Sequence, residues 1–93
     1  MRVVWTRPAR NHLLGILDYI GKDSPAAAYR VGEAIQKRVS ALSDNPMIGR
    51  RGRDPKTREL ILSGLPYIVA YRVTDRVEIL AVMHGAQEWP ERF

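Results

Sequence analysis

Cysteine is absent from the 93-residue chain, and histidine occurs only at His12 and His84. The first absence excludes a disulfide framework and any thiolate metal site. Two histidines so far apart in sequence cannot form a local metal-binding motif, so we expect neither a metal nor a cofactor. No apolar run approaches the roughly 20 residues that span a bilayer, and the first residues lack the apolar core of a signal peptide. We therefore expect one domain over residues 1–93, located in the cytoplasm, with no membrane partner.

The balance of charge is strongly positive. Lysine and arginine together number 15 against 10 acidic residues, which gives a formal net charge of +5, and arginines outnumber lysines by 12 to 3. Arginine makes bidentate contacts with phosphate or carboxylate better than lysine does. A basic protein favours a nucleic acid or an acidic protein as its partner, and charge alone does not distinguish the two.

The clearest secondary-structure signal is the run from Leu65 to Met83, in which β-branched and aromatic residues alternate on either side of residues 74–76. This pattern predicts a β-hairpin. A three-residue loop gives the pairs Val73–Val77, Tyr71–Ile79, Val69–Ala81 and Tyr67–Met83. The opposite face carries Ile68, Ala70, Leu80 and Val82. We therefore expect two central strands that are partly covered on both faces.

Two amphipathic helices are predicted before the hairpin. Thr6 caps the first helix, and Gly21 is expected to end it in a left-handed conformation. Ser24 and Pro25 begin the second helix, which stops at Asn45 before a proline. Because few residues separate the helices, we expect them to form an antiparallel hairpin.

Shorter strands complete the predicted order. Residues 2–5 and 58–62 read as strands, and residues 47–57 read as a loop. The order β-α-α-β-β-β predicts an α+β fold with an N-terminal strand. In this fold the antiparallel helical hairpin packs on a small, mostly antiparallel sheet.

Four segments in this order resemble the RelE/ParE superfamily of bacterial toxins from type II toxin–antitoxin modules. They are residues 58–60 (REL), 66–73 (PYIVAYRV), 77–80 (VEIL) and 82–90 (VMHGAQEWP). The resemblance covers nearly the whole chain. It implies a growth inhibitor that is neutralised by a cognate acidic antitoxin, whose partly disordered tail folds on binding. RelE-like members cut mRNA in the ribosomal A site, whereas ParE-like members poison DNA gyrase without a known hydrolytic site.

Two residues favour the ParE-like mechanism. At positions where the RelE-like nucleases often carry arginine, this chain has Ile68 and Gln87, and neither side chain supplies a charge to a phosphorane. The leading prediction is thus a gyrase-directed toxin with no catalytic residue assigned. The alternative is a ribosome-dependent mRNA endonuclease that uses His84, Arg58 and Arg72. A degenerate member that has lost its toxicity is the third possibility.

A basic cluster is the predicted contact surface for the target or a nucleic acid. Five positive charges fall within nine positions, against the single acid Asp54. The predicted contact residues are Arg50, Arg51, Arg53, Lys56 and Arg58, together with Gln87 and Trp89 near the chain end. Binding through such a cluster is expected to weaken with salt.

Structural roles are expected for several other side chains. Trp89 is predicted to plug the edge of the core, and Tyr71 is predicted to lie within it. Glu59 is expected to form a local ion pair with Arg58. His12 lies off the apolar stripe of the first helix and is expected to face solvent.

Overall fold

The computed structural model describes residues 1–86 and 89–90. Its elements are β1 (Val3–Trp5), α1 (Arg7–Gly21), α2 (Pro25–Ser40), a 3-10 helix (Ala41–Ser43), β2 (Arg50–Arg51), β3 (Arg58–Ile61), β4 (Tyr67–Val73) and β5 (Val77–His84). The α-helical part of the second helix thus ends before the predicted stop at Asn45. The strands of this part of the chain form one sheet in the order β1-β5-β4-β3-β2. β1 is parallel to β5, and the other neighbours are antiparallel. The predicted α+β fold is confirmed, with β2 as an addition inside the predicted loop.

Both helices begin where side-chain caps were predicted. The hydroxyl of Thr6 accepts a hydrogen bond from the backbone N–H of Ala9, and the hydroxyl of Ser24 accepts one from Ala27. These bonds satisfy N–H groups that the first turn of a helix leaves without a partner. No helix in the described residues is long and apolar enough to cross a bilayer.

The predicted left-handed ending at Gly21 is wrong. Gly21 is the last helical residue, and Lys22 after it keeps right-handed backbone angles. The backbone N–H groups of Asp23 and Ser24 both bond to the carbonyl of Ile20. The chain therefore reaches the N-cap of α2 without a residue in the left-handed backbone conformation.

The predicted hairpin register is correct near the turn and wrong beyond it. Val73 lies opposite Val77 and Tyr71 opposite Ile79, as predicted, but Ala70 lies opposite Ala81. The extra residue on β5 is Leu80, which makes a β-bulge. Beyond the bulge the pairs are Val69–Val82, Ile68–Met83 and Tyr67–His84, in place of Val69–Ala81 and Tyr67–Met83.

The bulge decides which residues of β5 face the helices. Val82 joins the large core between the helices and the sheet, together with Val69, Tyr71, Val77 and Ile79. Ala81 and Met83 turn to the other face, where they form a small cluster with Ala70 and Trp89. The expectation that both strands are partly covered on both faces is confirmed, but the predicted placement of Val82 on the face of Ala70 is wrong.

The side chain of His12 accepts a backbone hydrogen bond from β5 where β1 no longer pairs with it. β1 pairs only with Val77–Ile79, and past that point Nδ1 of His12 accepts a hydrogen bond from the backbone N–H of Val82 at 3.2 Å. His12 is half-buried, so the prediction of a solvent-facing residue is wrong. Its ring satisfies a backbone donor that no strand reaches.

Tyr71 ties the segment after α2 to the sheet. Its fully buried hydroxyl accepts a hydrogen bond from the N–H of Gly49 and donates one to the carbonyl of Pro46, both at 2.8 Å. A Cβ on Gly49 would lie 2.5 Å from this hydroxyl, so only glycine fits there. Burial raises the pKa of Tyr71 above its ordinary value of 10.0 because the phenolate would lose its solvation.

Replacing the tyrosine tests this connection. Tyr71→Phe leaves the Gly49 N–H and the Pro46 carbonyl without their partner, and we expect a loss of about 1–3 kcal/mol in the free energy of unfolding. Urea denaturation followed by circular dichroism measures it. Tyr19→Phe is the matched control, because Tyr19 is 74% exposed. Equal midpoints for the two variants would contradict the assigned role.

Candidate functional site

A buried carboxylate organises the predicted basic surface. Only 2% of the Glu59 side chain is exposed. Arg50, directly opposite on β2, donates to Oε1 from Nη2 at 2.9 Å and from Nε at 3.2 Å. The backbone N–H of Arg53 donates to Oε2 at 3.0 Å. These contacts compensate the cost of burying the charge.

The expected Glu59–Arg58 ion pair is wrong, because neighbouring residues of a strand point to opposite faces. Arg58 instead donates from Nη1 to the carbonyls of Met47 at 3.2 Å and Gly49 at 2.7 Å. Arg50, Arg53 and Arg58 are thus all engaged in holding the loop between α2 and β3.

Trp89 lies against the same group of residues. The guanidinium carbon of Arg53 is 4.1 Å from the centre of the Trp89 ring, within the range of a cation–π contact. The ring packs on the small cluster of Ala70, Ala81 and Met83, in agreement with the plugging role predicted for it. Gln87, which was predicted as a contact residue, lies outside the described residues.

Arg51 and Lys56 differ from the other cations of the cluster. Both are exposed, as are Arg50 and Arg53, but neither side chain forms a hydrogen bond or ion pair with a described residue. Together with Arg58 they line an open pocket of about 160 Å³. Its other walls are Met47, Pro55, Thr57 and Val73.

The residues of the alternative catalytic set are not brought together. His84 lies opposite Tyr67 at one end of the β4–β5 hairpin, and Arg72 lies opposite Glu78 near the other end. Five steps along β4 separate Tyr67 from Arg72, about 16 Å at 3.3 Å per residue. Arg72 also donates from Nε to Oε1 of Glu78 at 2.6 Å.

His84 closes the last strand and makes local contacts. Its Nδ1 accepts a hydrogen bond from the N–H of Ala86 at 3.1 Å, and its ring meets the Tyr67 ring edge-on at 5.9 Å. His84, Tyr67 and His12 line a second open pocket of about 350 Å³ on the β5 edge. This grouping was not predictable from the sequence, because the short β1 and the path of α1 bring the histidines together.

The ion pairs of Glu78 on β5 predict how the stability of the protein depends on pH. Hydrogen bonds from Arg72 and Arg76 hold the pKa of Glu78 below its ordinary value of 4.5. A lowered folded-state pKa gives stability that is present above the unfolded value and lost as the pH falls through the folded value. We expect Glu78→Gln to lose less stability than wild type between pH 7 and pH 3. Urea midpoints at both values measure this, and Glu33→Gln, at an exposed helix position, should behave as wild type.

The link from Glu59 to Trp89 generates a spectroscopic prediction. In a Trp5→Phe background Trp89 is the remaining indole. We expect Glu59→Gln and Arg53→Gln each to shift its emission to longer wavelength, because the stacked guanidinium no longer covers the ring. The control is Arg51→Gln, which like Arg53→Gln removes one positive charge. The Arg51 side chain has no partner among the described residues, so this variant should leave the emission unchanged. A shift of equal size in all three variants would refute the contact.

Comparison with known proteins identifies the family. The model for the ParE toxin of the type II toxin–antitoxin system parDE matches residues 3–89. Over 90 residues the chain is 49% identical to the protein Y4kP of Sinorhizobium fredii, covering 97% of this chain and 94% of Y4kP. Over 87 residues it is 37% identical to Toxin RelE2 of Caulobacter vibrioides, covering 92% and 97%. A solved chain of the chromosomal ParDE system of P. aeruginosa has a TM-score of 0.82 and 30% identity, over 90% of this chain and 95% of that one.

These matches agree with the fold and confirm the resemblance to the RelE/ParE superfamily. The family model spans every element from β1 to β5 and reaches Trp89. Toxins of type II systems have a protein antitoxin as their partner, which supplies one binding partner for this chain. The protein is thus a toxin of a type II toxin–antitoxin system and belongs to the ParE toxin family.

Proposed function

We propose that the protein is a ParE-like growth inhibitor that acts on DNA gyrase in the cytoplasm by binding, without hydrolysis. The observation that carries this proposal is the separation of His84 from Arg72 along the β4–β5 hairpin. Cleavage of RNA without a metal needs an acid, a base and cations around one phosphodiester. Side chains at opposite ends of a hairpin do not surround one linkage.

The sheet face opposite the helices also supports a binding role. Ile61, Ile68 and Met83 lie side by side across β3, β4 and β5, and none of them can stabilise a phosphorane. On the same face Glu59 pairs with Arg50 and Arg53, at 2.9 and 3.8 Å. Glu78 pairs with Arg72 and Arg76, at 2.6 and 3.0 Å. Charges that are already paired are poorly available to a transition state.

The proposed contact surface is the basic β2–β3 hairpin. Arg51 and Lys56 present exposed cations, and Arg50, Arg53 and Arg58 hold the backbone that carries them. Trp89 borders this surface, since its ring lies 4.1 Å from the guanidinium of Arg53. Gln87 is kept as a proposed contact residue from its place in the sequence alone. We also propose that the cognate antitoxin is acidic, because it would complement the net charge of +5.

A second candidate is a ribosome-dependent mRNA endonuclease. A relative that is 37% identical carries the name Toxin RelE2. In addition, His84 is exposed and stands beside the ring of Tyr67, so it is accessible as an acid or base. This candidate requires a second catalytic group other than Arg72.

A combined test uses induced expression and purified protein. We expect filamentation and inhibition of gyrase supercoiling, with no ribosome-dependent cleavage of mRNA. Arg51→Glu with Lys56→Glu should weaken inhibition about tenfold or more, because charge at the contact surface is reversed. Arg10→Glu with Arg30→Glu changes the net charge equally at exposed helix positions and should retain activity.

The catalytic variants separate the candidates. His84→Ala with Arg72→Ala should retain full toxicity. Loss of toxicity in this variant, together with cut transcripts from the wild type, would assign the endonuclease function instead. Normal growth on expression of the wild-type chain would indicate a member that has lost its toxicity.

A further inference from the structure

Two arginines face each other directly across β2 and β3. Arg51 pairs with Arg58, so their side chains share one face as nearest cross-strand neighbours, an arrangement that is destabilising for like charges. Lys56 adds a third cation to the same pocket. No acidic side chain of the described residues lines that pocket.

The other cross-strand arginines of this sheet lie opposite acidic residues. Arg50 lies opposite Glu59 and Arg72 lies opposite Glu78, with ion pairs at 2.9 and 2.6 Å. The sequence therefore supplies an acid wherever an arginine faces the apolar cluster under Trp89. At Arg51 it supplies another arginine, and no side chain of residues 1–86 or 89–90 forms an ion pair with Arg51.

The backbone that carries these cations is held in place. The carbonyl of Asp54 accepts hydrogen bonds from the N–H and hydroxyl of Thr57 at 2.9 and 2.7 Å, and its carboxylate accepts one from the N–H of Lys56 at 3.0 Å. A Cβ on Gly52 would overlap the Thr57 hydroxyl, so the turn is tight. Arg58 is fixed by two loop carbonyls. A site whose groups are ordered in advance loses less entropy on binding.

We propose that this pocket binds a phosphate group. Arg51, Arg58 and Lys56 carry three positive charges, which exceeds the single charge of a carboxylate and suits a phosphate dianion or two adjacent phosphodiesters. The volume of about 160 Å³ corresponds to about five waters at ~30 Å³ each, enough for the five heavy atoms of phosphate. Met47, Pro55 and Val73 form apolar walls beside the cations.

The site rests on the proposed role of the basic hairpin as a contact surface, but not on gyrase as the target. The phosphate can come from a polynucleotide backbone, such as DNA held by the target, or from a small phosphate compound. Both sources present the same group to Arg51, Lys56 and Arg58. Their relative affinities distinguish them.

The test is an NMR titration of the full chain, purified free of antitoxin, with inorganic phosphate, pyrophosphate, a single-stranded DNA 12-mer and a hexaglutamate peptide as separate probes. We expect amide shifts centred on Arg51, Lys56 and Thr57, with pyrophosphate binding more tightly than phosphate. Tighter binding of the DNA than of pyrophosphate would assign the polynucleotide source, and the reverse would assign the small compound. Arg51→Gln with Lys56→Gln should weaken binding about tenfold or more.

The matched control is Arg10→Gln with Arg30→Gln, which removes the same charge from exposed helix positions and should bind pyrophosphate as wild type does. Equal weakening in both double variants, or hexaglutamate binding more tightly than pyrophosphate, would overturn the phosphate site. Absence of pocket shifts with every phosphate probe would overturn it as well. Phosphate binding without gyrase inhibition would support the phosphate site and refute the proposed function. Gyrase inhibition without phosphate binding would support the proposed function and refute the phosphate site.

Discussion

The buried carboxylate of Glu59 is the constraint on which the basic surface depends. A charge that is 2% exposed is stable only with close partners, and the chain supplies them from two arginines. Arg50 pairs across the strands, and the backbone of Arg53 closes the turn at 3.0 Å. Because Arg53 also stacks on Trp89 at 4.1 Å, one acid positions both the β2–β3 hairpin and the aromatic ring that covers the second face of the sheet.

Local signals in the sequence were sufficient for the starts of both helices and for most of the sheet. Thr6 and Ser24 act as caps as predicted, because capping depends on a few adjacent residues. The β-bulge at Leu80 was not predictable from alternation. Residues 79–82 are all apolar, so either register gives an apolar face, and packing against the helices selects the one that places Val82 inside.

The sequence predicted which residues form the candidate site, but not how these residues are paired or which of them face each other. The sequence shows five cations in nine positions, which appear equivalent until their partners are known. A strand as short as Arg50–Arg51 carries no periodic signal, so its pairing with Glu59 and Arg58 could not be inferred. That pairing divides the cluster into arginines that bond to other groups of the fold and cations whose side chains have no described partner, namely Arg51 and Lys56.

This division of charge supports the proposal that the toxin acts by binding. On the face under Trp89 each described arginine is paired with Glu59 or Glu78, and Ile61, Ile68 and Met83 beside them are apolar. A phosphate bound there would have to compete with these ion pairs. The free positive charge lies on the other side of β3, beside the loop that Tyr71 and Arg58 fix. A cationic site on a rigid hairpin favours recognition of a charged surface, since it adds affinity and orientation without the acid and base that cleavage requires.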